Sequence, residues 1–389
     1  MMPIVYPPEG GGQRVPVVAW SRVLSAATLR QLRRLASEPY VVDRVAAMPD
    51  AHVAEGVAVG TVFATEDAIV PAALGGDLGC GVAALRFGPG APPKPGRREL
   101  ERLLGGLAAA VPVGDACQPG RGVPLPEALA SAPLSTRALE RQRDALGPRH
   151  AGTLGGGNHF LELDRDAGGS LWLLVHTGSR GMGAAVRAHH GRAAEAAGGG
   201  SDLAPLSVRE GPGAAYLADL GWALAFAREN RRLLLARASE VMADVFGLEP
   251  GPEGPIDVHH NYVEAEEQGG RPLLVHRKGA VRAREGERVI VPGSMGTATY
   301  LARGLGHELA FASCPHGAGR VLSRAEARRR IRPPDLRRAM GRVVFDEGRA
   351  RALVEEAPQA YRPIGEVFED GAGLARPVLR LEPLAVLKG

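Results

Sequence analysis

Five of the eleven histidines in this 389-residue chain, together with Asp77 and Cys80, fall in five short phrases rich in glycine or asparagine. The first, Gly-Gly-Asp-Leu-Gly-Cys-Gly, sets Asp77 three residues ahead of Cys80 and ends at Gly81. Gly-Gly-Gly-Asn-His-Phe-Leu-Glu carries His159 and Glu162, and Val-His-Thr-Gly-Ser-Arg-Gly carries His176. Val-His-His-Asn-Tyr supplies His259 and His260, and Ser-Cys-Pro-His-Gly-Ala-Gly-Arg supplies His316. Imidazole, thiolate and carboxylate are the side chains that hold transition metals, and glycine lets backbone approach a ligand closely or take positive φ. Five such phrases over more than half the chain point to one metal centre assembled from distant loops, and hence to an enzyme.

Each residue also has a plainer reading. A lone cysteine is usually a small buried hydrophobe. Beside Asp77 in a glycine-dense turn, Cys80 instead reads as a ligand, and a thiolate has lone pairs enough to bridge two cations. Hard carboxylate oxygen together with imidazole nitrogen suits manganese or zinc. His159 and His176 each sit beside a strand-like run, and either alone is better explained as a hydrogen-bonded structural histidine. Neighbouring residues of a strand face opposite ways, so only one of His259 and His260 turns to a common centre. His316 lies between Pro315 and Gly317-Ala318-Gly319-Arg320, a donor-rich loop with a guanidinium that suits phosphate chemistry, although the Gly-Lys-Ser/Thr ending of a P-loop is missing.

The elements that must position these side chains are partly visible. Val41 to Phe87 alternates as strands between Gly and Asp turns, and Phe160–Leu163, Leu171–Val175, Arg271–Val275 and Arg288–Val291 read the same way. Tyr216–Phe246 reads as a long helix from Leu217, Leu220, Leu224, Ala227, Leu234, Val241 and Val245 at helical spacing. Asn230-Arg231 interrupts that stripe and is either a polar contact into a cleft or a solvated turn. Gly88–Arg149 is Pro- and Arg-rich and reads as loop plus a helix around Arg97–Ala110; a basic stretch runs from Arg320 through Arg342. The first forty residues carry no clear pattern. No repeat and no long linker appear, so residues 1–389 read as one domain.

Composition narrows the class. With 53 Gly and 31 Pro, the chain is a loop-rich α/β protein rather than a helical bundle. No run of eighteen apolar residues and no basic-then-apolar leader is evident, and three cysteines (Cys80, Cys117, Cys314) make no disulfide framework. The expectation is a cytoplasmic protein with no membrane association. A net charge of +4 comes almost wholly from arginine, the sole lysines being Lys94, Lys278 and Lys388. Against that background a lysine marks a place where a compact ammonium is wanted, which draws notice to Lys278 and Lys388.

Taken in order, Met-Pro-Asp-Ala-His (Met48–His52), Gly-Asp-Leu-Gly-Cys-Gly, Leu-Gly-Gly-Gly-Asn-His-Phe-Leu-Glu, His-Thr-Gly-Ser-Arg-Gly and His-His-Asn-Tyr-Val closely resemble the RtcB family of RNA-splicing ligases. So do Arg-Lys-Gly-Ala, Pro-Gly-Ser-Met-Gly, His-Gly-Ala-Gly-Arg-Val-Leu-Ser-Arg and the closing Lys-Gly. The resemblance runs from about Val41 to the last residue, leaving Gly88–Arg149 and Phe368–Leu384 without a matching phrase. It implies a compact, single-domain, mixed α/β fold with the site in a central cleft, acting as a monomer. It also implies a GTP- and manganese-dependent ligase that joins an RNA 3′-phosphate or 2′,3′-cyclic phosphate to a 5′-hydroxyl, with an archease-type activator as a candidate partner.

By the same resemblance His316 is the nucleophile that carries GMP. Asp77, Cys80 and His159 hold one manganese, while Cys80, His176 and His260 hold the other. Asn158 touches the guanylate phosphate. Glu162, Tyr361 and Lys388 hold the guanine, Ala318 and Gly319 lie near the ribose, and Ser294 is a further nucleotide contact. Lys278, Arg320 and Arg324 correspond to phosphate or RNA contacts. Cys314 is expected to be structural. Two rivals stand beside this: a two-metal phosphohydrolase, which has no use for His316 or Lys388, and a non-catalytic RNA-binding relative, which would lack a ligand or nucleophile.

Overall fold

The computed structural model describes residues 2–9, 12–88, 95–198 and 200–389, so Lys94 lies outside the described residues. The chain opens with β1 (Ile4–Tyr6), β2 (Val17–Ala19) and α1 (Ala26–Leu35). β3 (Val42–His52), β4 (Val59–Thr65), β5 (Ala68–Ile69), α2 (Pro71–Leu74) and β6 (Gly81–Arg86) follow. Next are α3 (Arg97–Ala110), α4 (Glu127–Ala130), α5 (Arg137–His150), β7 (Phe160–Asp166), β8 (Leu171–Thr177), α6 (Arg180–Ala197), β9 (Leu206–Ser207) and α7 (Gly211–Phe246). A run of strands succeeds them: β10 (Ile256–His259), β11 (Asn261–Gln268), β12 (Arg271–Lys278), β13 (Ala280–Arg282), β14 (Arg288–Val291), β15 (Thr299–Gly304) and β16 (Ser313–Pro315). The last elements are α8 (Arg324–Arg330), α9 (Pro333–Met340), β17 (Val344–Phe345), α10 (Ala350–Leu353), α11 (Ile364–Asp370) and β18 (Ala375–Lys388).

Among the described residues the strands form two large mixed sheets. One has the order β1-β2-β3-β4-β12-β11; the other runs β10-β6-β8-β7-β18-β15-β14, with β17 added in parallel to β18. Alternation along the strands sets what each face meets. On β6 and β8, Val82, Ala84, Trp172 and Leu174 pack with Ile290, Leu301 and Leu381, while Ala83, Leu85, Leu171, Leu173 and Val175 pack against α3 and α7. On the other sheet Val18, Ala46 and Val62 share a core with Val289, Val291 and Ala302, and Val17, Val45, Ala47 and Phe63 pack under α1. The mixed α/β expectation holds.

The local signals behave as their chemistry suggests. α7 starts with Pro212 in its first turn and stops at Gly247, whose φ of 66° is a left-handed cap that costs glycine nothing. The strand readings are realised except at Pro71–Leu74, where α2 interrupts the Val41–Phe87 run, and α3 occupies Arg97–Ala110 as expected. Two further things differ. The Gly88–Arg149 stretch also contains α5, capped by the Thr136 side chain accepting from the Leu139 amide. Its apolar content is low and Pro148 sits in its last turn, so no helical stripe marks it. The first forty residues, patternless in sequence, form β1, β2 and α1.

Candidate functional site

The chemistry-bearing residues sit at strand ends. Cys80 precedes β6, His159 precedes β7, His176 is next to last in β8, His260 follows β10 and His316 follows β16; Lys278 and Lys388 close β12 and β18. Sheet register gathers them: Lys388 pairs with Phe160, Phe160 with His176, and His176 with Val82, while Gly81 pairs with His259 on one side and Thr177 on the other. Residues remote in sequence thus occupy adjacent rungs of one sheet and open into a cavity of about 510 Å³. Asp77, Cys80, Asn158, Glu162, His176, His260, Lys278, Ser294, His316, Ala318, Gly319, Arg320, Arg324, Tyr361 and Lys388 all line it, and His159 reaches it through Asp77 and Cys80.

Two triads share one sulfur. Asp77, Cys80 and His159 form one set and Cys80, His176 and His260 the other, the ligand atoms in each lying within 4.8 Å of one another. Cys80 Sγ is 3.6 Å from His159 Nε2 and 3.2 Å from His176 Nε2; the latter is 3.4 Å from His260 Nε2, and His159 Nε2 is 3.0 Å from Asp77 Oδ2. With metal–ligand bonds near 2.1–2.3 Å, tetrahedral coordination gives ligand–ligand edges of about 3.5 Å. The donor set and its spacing are compatible with divalent cations. His159 and His176 direct Nδ1 to the Leu154 and Asn158 carbonyls, at 2.9 and 3.2 Å, which leaves Nε2 free to coordinate. Nδ1 of His260 is buried without a partner among the described residues.

Charge balance in the metal-free pocket is unfavourable to a thiolate. Burial, reinforced by Asp77, pushes the Cys80 thiol well above its ordinary value. Loss of water around Asp77 pushes its carboxyl up, but the adjacent His159 outweighs this and holds it below the usual carboxylate range. Burial and neighbouring imidazoles keep His176 and His260 neutral. A dication reverses the thiol's preference, since a coordinating thiol is deprotonated outright.

His260 and His316 face one another with ring centroids 4.9 Å apart, yet His316 belongs to neither triad. Its Nδ1 lies 2.6 Å from Oδ2 of the buried Asp50 on β3, although off the alignment of a hydrogen bond. The loop after it must hug that strand: Gly319 has φ of 71°, and a Cβ there would sit 2.5 Å from the Asp50 carbonyl oxygen. No other residue fits. Cys314 is fully buried in the core behind, in keeping with a structural role.

Lys388 Nζ donates to the Asn158 carbonyl at 3.1 Å, the oxygen that His176 Nδ1 also meets, and sits 5.7 Å from the centre of the Phe160 ring. Glu162 is buried near it on β7, two residues from the equally buried Asp164; burial first, then this second carboxyl, pushes Glu162 well above its ordinary value. Ser294 Oγ is 3.0 Å from Thr297 Oγ1. Lys278 Nζ donates to the Glu55 and Val57 carbonyls, and burial lowers its pKa to about 8. Arg320 stacks on Tyr361, its guanidinium 4.8 Å from the ring centre, and Arg324 stands half exposed at the mouth.

The profile of the tRNA-splicing ligase RtcB family matches residues 31–130 and 126–389. The chain belongs to the RtcB family. It is 34% identical to the RNA-splicing ligase RtcB of Escherichia coli K12, over 97% of this chain and 98% of that one. It is 33% identical to the Mycobacterium tuberculosis protein of the same name (92% and 100%) and 30% identical to the tRNA-splicing ligase RtcB of Pyrobaculum aerophilum (97% and 95%).

Within this RtcB site several residues escape sequence reasoning. Asp50 sits inside Met-Pro-Asp-Ala-His, but nothing there marks it as the neighbour of His316. Arg231 and Asn230 on α7 point neither to a cleft nor to water. Arg231 donates to the carbonyls of Gly79 and Thr177 and pairs with Asp257, and Asn230 bonds Thr153 on both its atoms. They tie the ligand-bearing loops from behind, and the break in the apolar stripe is the signal that could have found them. Arg180 has φ of 55°, and its guanidinium reaches 3.4 Å from His159 Nδ1. Glu356 carries no signal at all.

Proposed function

We propose that this chain is a GTP- and manganese-dependent RNA ligase that joins a 2′,3′-cyclic phosphate or 3′-phosphate end to a 5′-hydroxyl end. The observation that carries this reading is one cavity in which two triads share Cys80 beside a histidine that neither uses. Kinship with proteins called RNA-splicing and tRNA-splicing ligases supports the substrate class. A two-metal phosphohydrolase would leave His316 and the buried Lys388 idle.

With Asp50 at Nδ1, His316 presents Nε2 to the α-phosphorus of GTP. The N–P bond forms as the bond to pyrophosphate breaks, leaving GMP on the imidazole. At a cyclic end, water adds to the phosphorus as the P–O2′ bond breaks, giving a 3′-phosphate; the terminal RNA 3′-phosphate then takes the GMP and frees His316. Finally the 5′-hydroxyl oxygen bonds the 3′ phosphorus, its proton passes to water, and GMP departs. Asp77, Cys80 and His159 would hold one manganese and Cys80, His176 and His260 the other, a pair that supplies Lewis acidity and neutralises phosphate charge.

Lys388 is suited to donate to the guanine carbonyl, with Glu162 and Tyr361 beside the base. Asn158 would meet the nucleotide phosphate, Ala318 with Gly319 its ribose, and Ser294 would be a further nucleotide contact. Lys278, Arg320 and Arg324 would meet phosphate or RNA. Incubation with α-labelled GTP and manganese tests the reading. The wild type is expected to take up acid-labile GMP, and His316→Ala to take up none while keeping its metal. Label on the His316→Ala chain would move the nucleophile elsewhere; an unlabelled wild type would end the ligase reading.

A further inference from the structure

We infer that Glu356 is a positioning residue that ties the base-binding end of the cavity to its phosphate-binding end. This deepens the ligase reading and rests on it. Glu356 closes a short 3-10 turn, Val354–Glu356, after α10, and is 3% exposed. Its two oxygens face different groups. Oε1 receives Arg320 Nη1 at 3.1 Å and Arg324 Nε at 3.4 Å; Oε2 receives the Tyr361 hydroxyl at 2.6 Å and Lys388 Nζ at 3.3 Å. Arg320 closes the circuit by donating to the Tyr361 hydroxyl at 2.8 Å.

A buried carboxylate with four donors is fully committed, since two oxygens offer about four acceptor sites. Three of its partners are cations, Arg320, Arg324 and Lys388. Their charges, with the Tyr361 hydrogen bond, outweigh burial and keep Glu356 ionised. Each of the four loses a partner if the carboxylate is lost. Lys388 would keep the Asn158 carbonyl but no anion in contact; Arg320 would keep the Leu322 and Glu355 carbonyls and turn from Tyr361. Glu356 itself lines the cavity, so a bound phosphate reaches the arginines in competition with Oε1, while Oε2 goes on holding Tyr361 and Lys388. Occupation of one end is therefore felt at the other through a single rigid side chain.

Glu356→Gln keeps the size and removes the charge, and its amide turns an N–H toward donors. Initial rates of GMP loading measured against GTP concentration separate the possibilities. The expected result is a KM for GTP raised roughly ten- to a hundredfold, as for loss of a charge-assisted hydrogen bond, with metal content unchanged. Glu356→Asp, which keeps the charge but is one methylene short, should recover part of the loss. A double-mutant cycle adds a second readout: Tyr361→Phe and Arg324→Ala should be non-additive in the wild type and additive when Gln occupies position 356. An unchanged KM in Glu356→Gln, or a lower melting temperature with unchanged KM, or additivity in both backgrounds, overturns the inference while the ligase reading stands. A wild type that takes no label overturns both.

Discussion

At Cys80 one sulfur serves both triads, so its loss should not resemble the loss of a residue that serves one. Cys80→Ser is expected to strip both ions, because a serine hydroxyl is a far poorer bridging ligand than a thiolate. Asp77→Ala and His260→Ala should each weaken one site and leave the other occupied. Metal analysis of the three purified variants decides the matter, and equal partial loss in all three would argue against a bridge. The candidate ligands are legible in the sequence because glycine or asparagine lies within two residues of each of them. Asp50 and Glu356 are not. An aspartate in Met-Pro-Asp-Ala-His and a glutamate in Val-Glu-Glu-Ala-Pro look like solvated acids, and only burial makes either one decisive.

Among the elements, α7 contributes most from a distance. Its middle turn sends Asn230 and Arg231, both fully buried, into the backs of the loops that carry Cys80, His159 and His176. Arg231→Met would leave the Gly79 carbonyl to His259 Nδ1 alone, take a donor from the Thr177 carbonyl and leave Asp257 without its partner, a change expected to cost about 3–5 kcal/mol of stability. Because those carbonyls belong to ligand-bearing loops, metal affinity should fall in the fraction that remains folded. Thermal melting with and without manganese checks this: the stabilisation that manganese gives the wild type should shrink in the variant. A variant that melts lower yet gains as much from manganese would confine Arg231 to scaffolding. Periodicity discloses α7 and most strands but not the destination of residues 230 and 231, since a sequence shows that a stripe is broken and not what lies opposite the break. It misses α5 for the converse reason, a helix whose surroundings ask little apolar surface of it.

At the scale of the whole molecule, the last two residues are stitched into the centre. β18 carries the chain along β7 until Lys388 reaches the rung of Phe160, and Arg349 donates to the Lys388 and Gly389 carbonyls at 2.7 and 3.1 Å. The Gly389 amide in turn donates to the carbonyl of His159, a metal-ligand candidate. A frayed terminal dipeptide would cost almost nothing to remove, and sequence reasoning without the family resemblance gives that answer. Here Lys388 is 6% exposed, so its removal has two separable consequences. Lys388→Met keeps the strand and its apolar stem but loses the ammonium, forfeiting a charge-assisted hydrogen bond of about 1.5–3 kcal/mol, or roughly ten- to a hundredfold in KM for GTP. Discrimination against ATP should fall with it, because adenine presents an amino donor where guanine presents the acceptor. Deleting Lys388 and Gly389 should add a second defect, weaker metal retention, as the His159 carbonyl loses its partner. GMP loading at limiting GTP and at limiting ATP, with metal analysis alongside, tells the two apart. If Lys388→Met matches the wild type in both nucleotide preference and loading, the ammonium holds the strand end in place and does not read the base.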